Sequence, residues 1–140
     1  MSLTDSLWGI QVWNSSNVTI AGNTISRLGQ EAIHVGDDSS DVTIQNNTIS
    51  HTGQRPGVDE EQGLPFRTFG EGIYIGTGRP AGVDMTNNVR IIGNEISHTS
   101  AEAIELKPGV FDVLVERNII HDTSTPVSYT HLTLPTILRV

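Results

Sequence analysis

The sequence predicts an all-β solenoid in which short parallel strands stack coil upon coil. One sequence frame occurs four times. It contains two apolar residues, an asparagine five positions after the first of them, and an isoleucine two positions after the asparagine. Its asparagines, at intervals of 24, 47 and 24 residues, are Asn23, Asn47, Asn94 and Asn118. A second register that agrees with this one comes from the strand motifs WGIQVW, EAIHVG, EGIYIG and EAIELK. No window of the chain shows helical periodicity.

Each coil is expected to supply three strands of about three to five residues, separated by turns. The first coil begins near Trp8, and alternation in its strand GIQVW places Ile10 and Val12 on the same face. The matching residues of the later coils extend these two inward columns. The column of Ile10 continues with Ile33, Ile73 and Ile104, and the column of Val12 continues with Val35, Ile75 and Leu106. A single coil cannot bury its own apolar face, so the stacking of coils would create the core.

The asparagine column has a structural explanation. Asparagine tolerates the left-handed backbone of a turn, and stacked side-chain amides can both donate and accept hydrogen bonds along the column. The pattern therefore favours a structural role for these asparagines over a catalytic one. The extra length between the second and third frames lies mainly in Ser50–Gly70, which predicts about four coils of about 24 residues with one long insertion.

Composition limits the partners. A chain of 140 residues is long enough for one domain with its own core. Its net charge of −8 argues against nucleic acid as a partner. There is no cysteine for a disulfide or a thiolate metal site, and no apolar run is long enough to cross a membrane. No secretory signal is recognisable at the N-terminus MSLTDSLWG, so we expect any signal of a secreted protein to lie outside this chain.

The segments NVTIAGNTIS, DVTIQNNTIS, NVRIIGNEIS and DVLVERNII carry a resemblance to a known family. They resemble the right-handed parallel β-helix repeat proteins of the pectate-lyase-like superfamily, over roughly Trp8 to Ser124. The resemblance implies a right-handed parallel β-helix. It implies less about activity, because that superfamily includes polysaccharide lyases, hydrolases, epimerases and adhesins.

The C-terminal tail does not continue the repeat. Residues 1–125 are predicted to form the β-helix fragment, and residues 126–140 a non-native tail, because VSYTHLTLPT looks like a translated sequencing-library adapter. The alternative is a divergent cap that packs Leu132, Leu134 and Ile137 over the last coil. Uncapped coils at either end predict self-association through open strand edges.

Three glutamates, one per coil, form a candidate metal site: Glu31, Glu71 and Glu102. Like charges stacked at strand spacing repel one another by about 3 kcal/mol, at an effective dielectric constant near 20. Such carboxylates must turn to solvent, gain protons or hold a cation, and calcium is the candidate cofactor. The alternative is that they accept backbone hydrogen bonds or pair with Arg55, Arg67 or Arg79.

The outward positions of the same strand predict a groove for polysaccharide. They include an aromatic residue, a histidine, acids and a lysine beside the long insertion, a mixture suited to sugar rings and hydroxyl groups. The candidate substrate-binding residues are Trp13, Glu105 and Arg67. The alternative for Trp13, His34 and Tyr74 is that they are ordinary exposed strand residues. His51, His98 and His121 are expected to be solvent-facing turn residues rather than metal ligands, because His121 is one position out of line.

Elimination at a uronic acid would need a cation to neutralise the carboxylate, a base at carbon 5 and an acid at the leaving oxygen. Lys107 is the candidate base, with Tyr74, His34 or Arg79 assisting. In one family of the superfamily that acts on alginate and chondroitin, glutamates on one strand precede a lysine base, and Glu102, Glu105 and Lys107 resemble that arrangement. Alternatives are a hydrolase that uses Glu71 with Glu102 or Glu105, and a non-enzymatic adhesin or tailspike-like surface-binding module. Each of these functions predicts a secreted or cell-surface protein.

Overall fold

The computed structural model describes residues 1–54, 70–78, 83–123, 125–129 and 137–138. In this part of the chain fifteen strands run in parallel and form three five-stranded sheets. The strand order shows that every connection passes to the next sheet before the chain returns. No helix that could cross a membrane occurs in these ranges.

The chain visits the three sheets in turn, one strand of each per coil. Sheet 1 contains β1 (Ser2–Thr4), β4 (Thr24–Ser26), β7 (Thr48–Ser50), β10 (Glu95–Ser97) and β13 (Ile119–His121). Sheet 2 contains β2 (Ile10–Trp13), β5 (Ile33–Gly36), β8 (Ile73–Ile75), β11 (Ile104–Leu106) and β14 (Val127–Tyr129). Sheet 3 contains β3 (Ser16–Ala21), β6 (Ser40–Gln45), β9 (Asn87–Ile92), β12 (Phe111–Glu116) and β15 (Ile137–Leu138).

The predicted inward columns are confirmed by the strand register. In sheet 2, Ile10 pairs with Ile33, Ile33 with Ile73 and Ile73 with Ile104. The last three of these are fully buried, and so are Val42, Ile44, Val89 and Ile91 of sheet 3. Each fully buried aliphatic side chain stabilises the fold by about 1.5–3 kcal/mol relative to an exposed one. β-branched residues suit this environment because their stiff side chains pack well on a pleated surface.

The four frame asparagines are linked by hydrogen bonds from coil to coil. Oδ1 of Asn94 accepts from both the backbone N–H and the side-chain Nδ2 of Asn47, each at 3.0 Å. The same pair of bonds joins Asn23 to Asn47 and Asn94 to Asn118. Nδ2 of Asn47 also donates to the carbonyl oxygen of Ile20. The amides therefore satisfy backbone groups that would otherwise be buried without partners.

Residues 55–69 of the long insertion and most of the tail lie outside the described residues. Within the tail, β14 pairs with β11 and β15 pairs with β12, so these two segments add strands to sheets 2 and 3. Whether residues 126–140 are native to the protein stays a prediction of the sequence.

Candidate functional site

The outer face of sheet 2 brings the chemically versatile side chains together. Its parallel register places Gln11, His34, Tyr74 and Glu105 in one column. Trp13 pairs with Gly36 at the end of β2 and β5, and the backbone hydrogen bonds that follow continue this second column through Gly76 to Lys107. Neighbouring coils lie about 4.8 Å apart, so each column presents one side chain per coil.

Aromatic contacts run along this face from the first coil to the fourth. The ring of Trp13 lies 4.5 Å from that of His34 in an edge arrangement, centroid to centroid. The ring of His34 lies 4.3 Å from that of Tyr74. Nζ of Lys107 lies 5.1 Å from the centre of the Tyr74 ring, within the range of a cation–π contact. Trp13, His34, Tyr74 and Lys107 therefore form a continuous strip, which we call the aromatic strip.

Two glycines leave space for the side chains at the ends of this strip. A Cβ atom on Gly76 would lie 2.7 Å from Cβ of Lys107, and Gly76 has a left-handed φ of 100°. A Cβ atom on Gly36 would lie 2.8 Å from the Trp13 ring. Both glycines are buried. Because no larger residue fits, Gly36 and Gly76 allow the side chains of Trp13 and Lys107 to pack directly against the backbone of these strands.

Lys107 is the only lysine in the sequence, and it is held in place by a carboxylate. Its Nζ lies 2.5 Å from Oε1 of Glu105, and the two side chains are 26% and 12% exposed. Glu105 belongs in turn to a group of three acids. One carboxylate oxygen from each of Glu71, Glu102 and Glu105 lies within 4.8 Å of the others.

The three acids form a cluster that could hold a metal ion. Glu71 is buried, and this burial, with Glu31 and Glu105 nearby, raises its pKa to about 8. The backbone N–H of Gly70 donates to its Oε2 at 3.1 Å. At neutral pH one proton therefore stays in the cluster. Three convergent carboxylates offer the oxygen donors that a hard cation such as calcium prefers, and a bound cation would replace that proton.

Glu31 is also buried but lies beside His34. Its Oε1 is 3.9 Å from Nδ1 of His34, and its Oε2 has no hydrogen-bond partner among the described residues. The structure therefore brings Glu71 and Glu102 of the predicted metal set together, and it places Glu105 in the third position. Glu31 remains close enough to raise the pKa of Glu71 through its charge.

His34 and Tyr74 have different protonation preferences. Nε2 of His34 lies 2.7 Å from the carbonyl oxygen of Gly76, so it carries the proton that this bond requires. Burial lowers the pKa of His34 and favours the neutral ring. Burial and the neighbouring carboxylates raise the pKa of Tyr74, so its phenol stays protonated and can act as a proton donor.

The remaining predicted residues are distributed as follows. Trp13 is 39% exposed at the first coil. Arg67 and Arg79 lie outside the described residues. Trp8, which the sequence reasoning did not include, is 45% exposed and donates from Nε1 to the side-chain oxygen of Gln30. Its position immediately before the strand alternation was the available signal.

Three histidines lie at the ends of sheet 1 strands and do not converge on one point: His51 follows β7, His98 follows β10 and His121 ends β13. The rings of His51 and His98 stack at 4.6 Å, and both residues have left-handed backbones. His121 points to Asp122 and Glu95, at 2.7 and 3.3 Å, and these hydrogen bonds raise its pKa. In the described ranges, only the three clustered glutamates bring three ligand atoms within 4.8 Å of one another. All three histidines are exposed, as expected, but His121 ends strand β13 rather than lying in a turn.

Comparisons with known proteins agree with this architecture. The family model described as a right-handed β-helix region matches residues 8–134. Among solved structures, the chain is similar to the crystal structure of an alginate lyase from Paenibacillus sp. str. FPU-7, with 29% sequence identity and a TM-score of 0.74. The match covers 89% of this chain and 40% of that one, so the chain spans less than half of the lyase. No curated protein sequence matches. The chain therefore belongs to the right-handed β-helix family.

Proposed function

We propose that this chain forms part of a polysaccharide lyase that cleaves an acidic polysaccharide by β-elimination. The observation that carries the proposal is the convergence of the single lysine, a protonated tyrosine and three carboxylates on the outer face of sheet 2. The similarity to an alginate lyase supports a uronate polymer as the substrate class.

In this reaction Lys107 is the proposed base: its ammonium group first loses a proton, and the amine then takes the proton from carbon 5 of a uronic acid residue. The electron pair of that C–H bond forms the double bond between carbons 4 and 5, while the bond from carbon 4 to the glycosidic oxygen breaks. Tyr74, whose raised pKa keeps its phenol protonated, donates the phenolic proton to the departing oxygen. His34 packs against Tyr74 and helps to fix its ring.

Glu71, Glu102 and Glu105 are the residues that would hold a cation in this site, and calcium fits their all-oxygen donor set. When bound, calcium would neutralise the substrate carboxylate and make the proton at carbon 5 more acidic. Glu31 would contribute negative charge close to Glu71. Arg67 stays a candidate for substrate binding, and Arg79 a candidate to assist the reaction.

A glycoside hydrolase is the second candidate, because one specific observation favours it. Glu71 keeps a proton at neutral pH, and its carboxylate lies within 4.8 Å of that of Glu105. A retaining glycosidase uses one carboxyl as the acid and a second as the nucleophile. The products distinguish the two reactions, since only a lyase creates an unsaturated sugar end.

The test is cleavage of a polysaccharide panel that includes alginate, pectate and chondroitin, with and without a chelator. We expect ultraviolet absorbance from unsaturated products with wild type and with Arg90→Ala, a matched loss of an exposed cation in sheet 3. Lys107→Ala and Tyr74→Phe should lose at least about 100-fold of this activity. Saturated products would favour the hydrolase, and binding without products would favour a surface-binding module. Because such polymers are extracellular, we infer a secreted or cell-surface location.

A further inference from the structure

The position that directly follows each strand of sheet 1 forms an exposed column, which lies outside the site on sheet 2. The register of these strands places one residue from each coil in the column, in the order Asp5, Arg27, His51, His98 and Asp122. All of them are exposed, and their left-handed φ angles lie between 52° and 59°. The same turn conformation therefore presents a polar side chain to solvent at every level.

The members of the column contact one another in two groups. Arg27 is paired with Asp5, to whose carboxylate its guanidinium donates hydrogen bonds of 2.9 and 2.7 Å. The rings of His51 and His98 lie parallel, with their centroids 4.6 Å apart. Nε2 of His98 lies 3.9 Å from Oδ2 of Asp122. Two imidazoles and a carboxylate are therefore neighbours on three consecutive coils, and the one guanidinium of the column is neutralised by its own partner.

The strand register explains why His121 is out of line with the other two histidines. His121 pairs with Ser97, so the position that matches His98 in the fourth coil belongs to Asp122. Nδ1 of His121 lies 2.7 Å from Oδ2 of Asp122, and this hydrogen bond lowers the pKa of Asp122, which keeps the carboxylate ionised at neutral pH. The column thus contains two imidazoles and a carboxylate rather than three imidazoles, and His121 orients the carboxylate from outside.

We propose that His51, His98 and Asp122 bind a zinc ion or another divalent transition metal, with one ligand from each of three consecutive coils. Neutral imidazole and carboxylate are both zinc ligands, and three protein ligands with water in the fourth position form a common zinc site. Calcium prefers oxygen donors alone, so this site and the cluster of three glutamates would select different ions. The inference does not depend on the proposed function.

Small rotations of exposed side chains are enough to close this site. Two ligand atoms of a tetrahedral zinc ion are roughly 3.3 Å apart, whereas Nε2 of His98 and Oδ2 of Asp122 are 3.9 Å apart. The side chains of His98 and Asp122 are 48% and 63% exposed, so both can turn toward a shared ion. A cleft of about 310 Å³ provides the room, and its lining consists of His51, Gln54, His98, Thr99, Ser100 and Asp122.

Zinc titration of the untagged full chain by isothermal titration calorimetry tests the site. We expect His51→Asn, His98→Asn and Asp122→Asn each to weaken zinc binding at least about tenfold, because each change removes one ligand. Asparagine tolerates a left-handed backbone, so these variants keep the turn. His131→Asn, at a histidine that is not among the proposed ligands, and Glu102→Gln in the acidic cluster should leave the zinc affinity within about twofold of wild type.

Electron paramagnetic resonance of the protein loaded with copper(II) identifies the ligands independently of affinity. We expect nitrogen splitting from two imidazoles in wild type and from one in either histidine variant, whereas the glutamate cluster offers oxygen alone. Zinc should also raise the melting temperature of wild type more than that of His98→Asn, because the ion joins three coils. Unchanged zinc affinity in both histidine variants, or a copper spectrum without nitrogen splitting, would overturn the proposal. Circular dichroism checks that each variant keeps the strand content of wild type.

Discussion

Nζ of Lys107 and Oε1 of Glu105 are 2.5 Å apart, so the single lysine of the chain is anchored to one member of the acidic cluster. This ion pair joins two parts of the proposed chemistry, the base and the cation ligands. A change at Glu105 should therefore affect both, whereas a change at Glu102 should affect cation binding alone.

We expect Glu105→Gln to lower kcat/KM by about 10- to 100-fold, because it releases Lys107 and weakens the cation site together. Excess calcium should restore the activity of Glu102→Gln but not that of Glu105→Gln. Steady-state kinetics across a calcium series measure the difference. Glu95→Gln, an exposed change on sheet 1, serves as the control. Full rescue of Glu105→Gln by calcium would show that the ion pair has no separate role.

The buried acid Glu71 predicts a loss of stability at alkaline pH. Its pKa is raised from 4.5 to about 8, so the folded state binds the proton more tightly than the unfolded state does. The stabilisation is complete below pH 4.5 and is lost as pH rises through 8. Without a cation, the free energy of unfolding should fall on the order of 3 kcal/mol between pH 5 and pH 9. Thermal unfolding at several pH values should show this slope in wild type and a much weaker one in Glu71→Gln.

Calcium should raise the melting temperature, and more strongly at pH 8 than at pH 5. At the lower pH the proton on Glu71 competes with the cation, whereas at the higher pH the cation replaces it. Thermal shift with calcium, magnesium and chelator measures the effect. Removing Glu71 and Glu102 together should abolish it, and Glu95→Gln should not. An undiminished shift in the double variant would place the cation elsewhere.

The asparagine column predicts a large cost for a single polar deletion in the core. Asn47→Ala removes the acceptor for two donors of Asn23 and the donor for Ile20 and Asn94. Since each buried group left without a partner costs about 1–3 kcal/mol, we expect destabilisation of roughly 3 kcal/mol or more. Chemical denaturation measures it. Thr48→Ala, the exposed neighbour on β7, should change stability by less than about 0.5 kcal/mol.

Periodic features of the fold were predictable from the sequence because each coil repeats the same physical problem. The inward columns beginning with Ile10 and Val12 and the hydrogen-bonded asparagines follow from alternation and spacing alone. The membership of the acidic cluster did not follow in the same way. Glu105 belongs to a different column from Glu71, and only the conformations of these long side chains bring the two together.

The proton on Glu71 was similarly hidden from the sequence. Its raised pKa depends on burial first and on Glu31 and Glu105 second, and burial depends on how the coils stack around it. A row of glutamates indicates repulsion but does not say which carboxyl becomes neutral. The long insertion that contains Arg67 and the segment after β8 that contains Arg79 follow no repeat, so spacing places neither arginine.

The coil-by-coil register has an evolutionary consequence. Every coil contributes one residue to each outward column. Duplication or loss of a coil therefore adds or removes one residue in each column and leaves the pairing of the other coils intact. The distance between Trp13 and Lys107 can therefore change only by whole coil spacings. A lineage could adapt to longer or shorter polymer chains by copying a 24-residue unit, without altering a single residue at the reacting end.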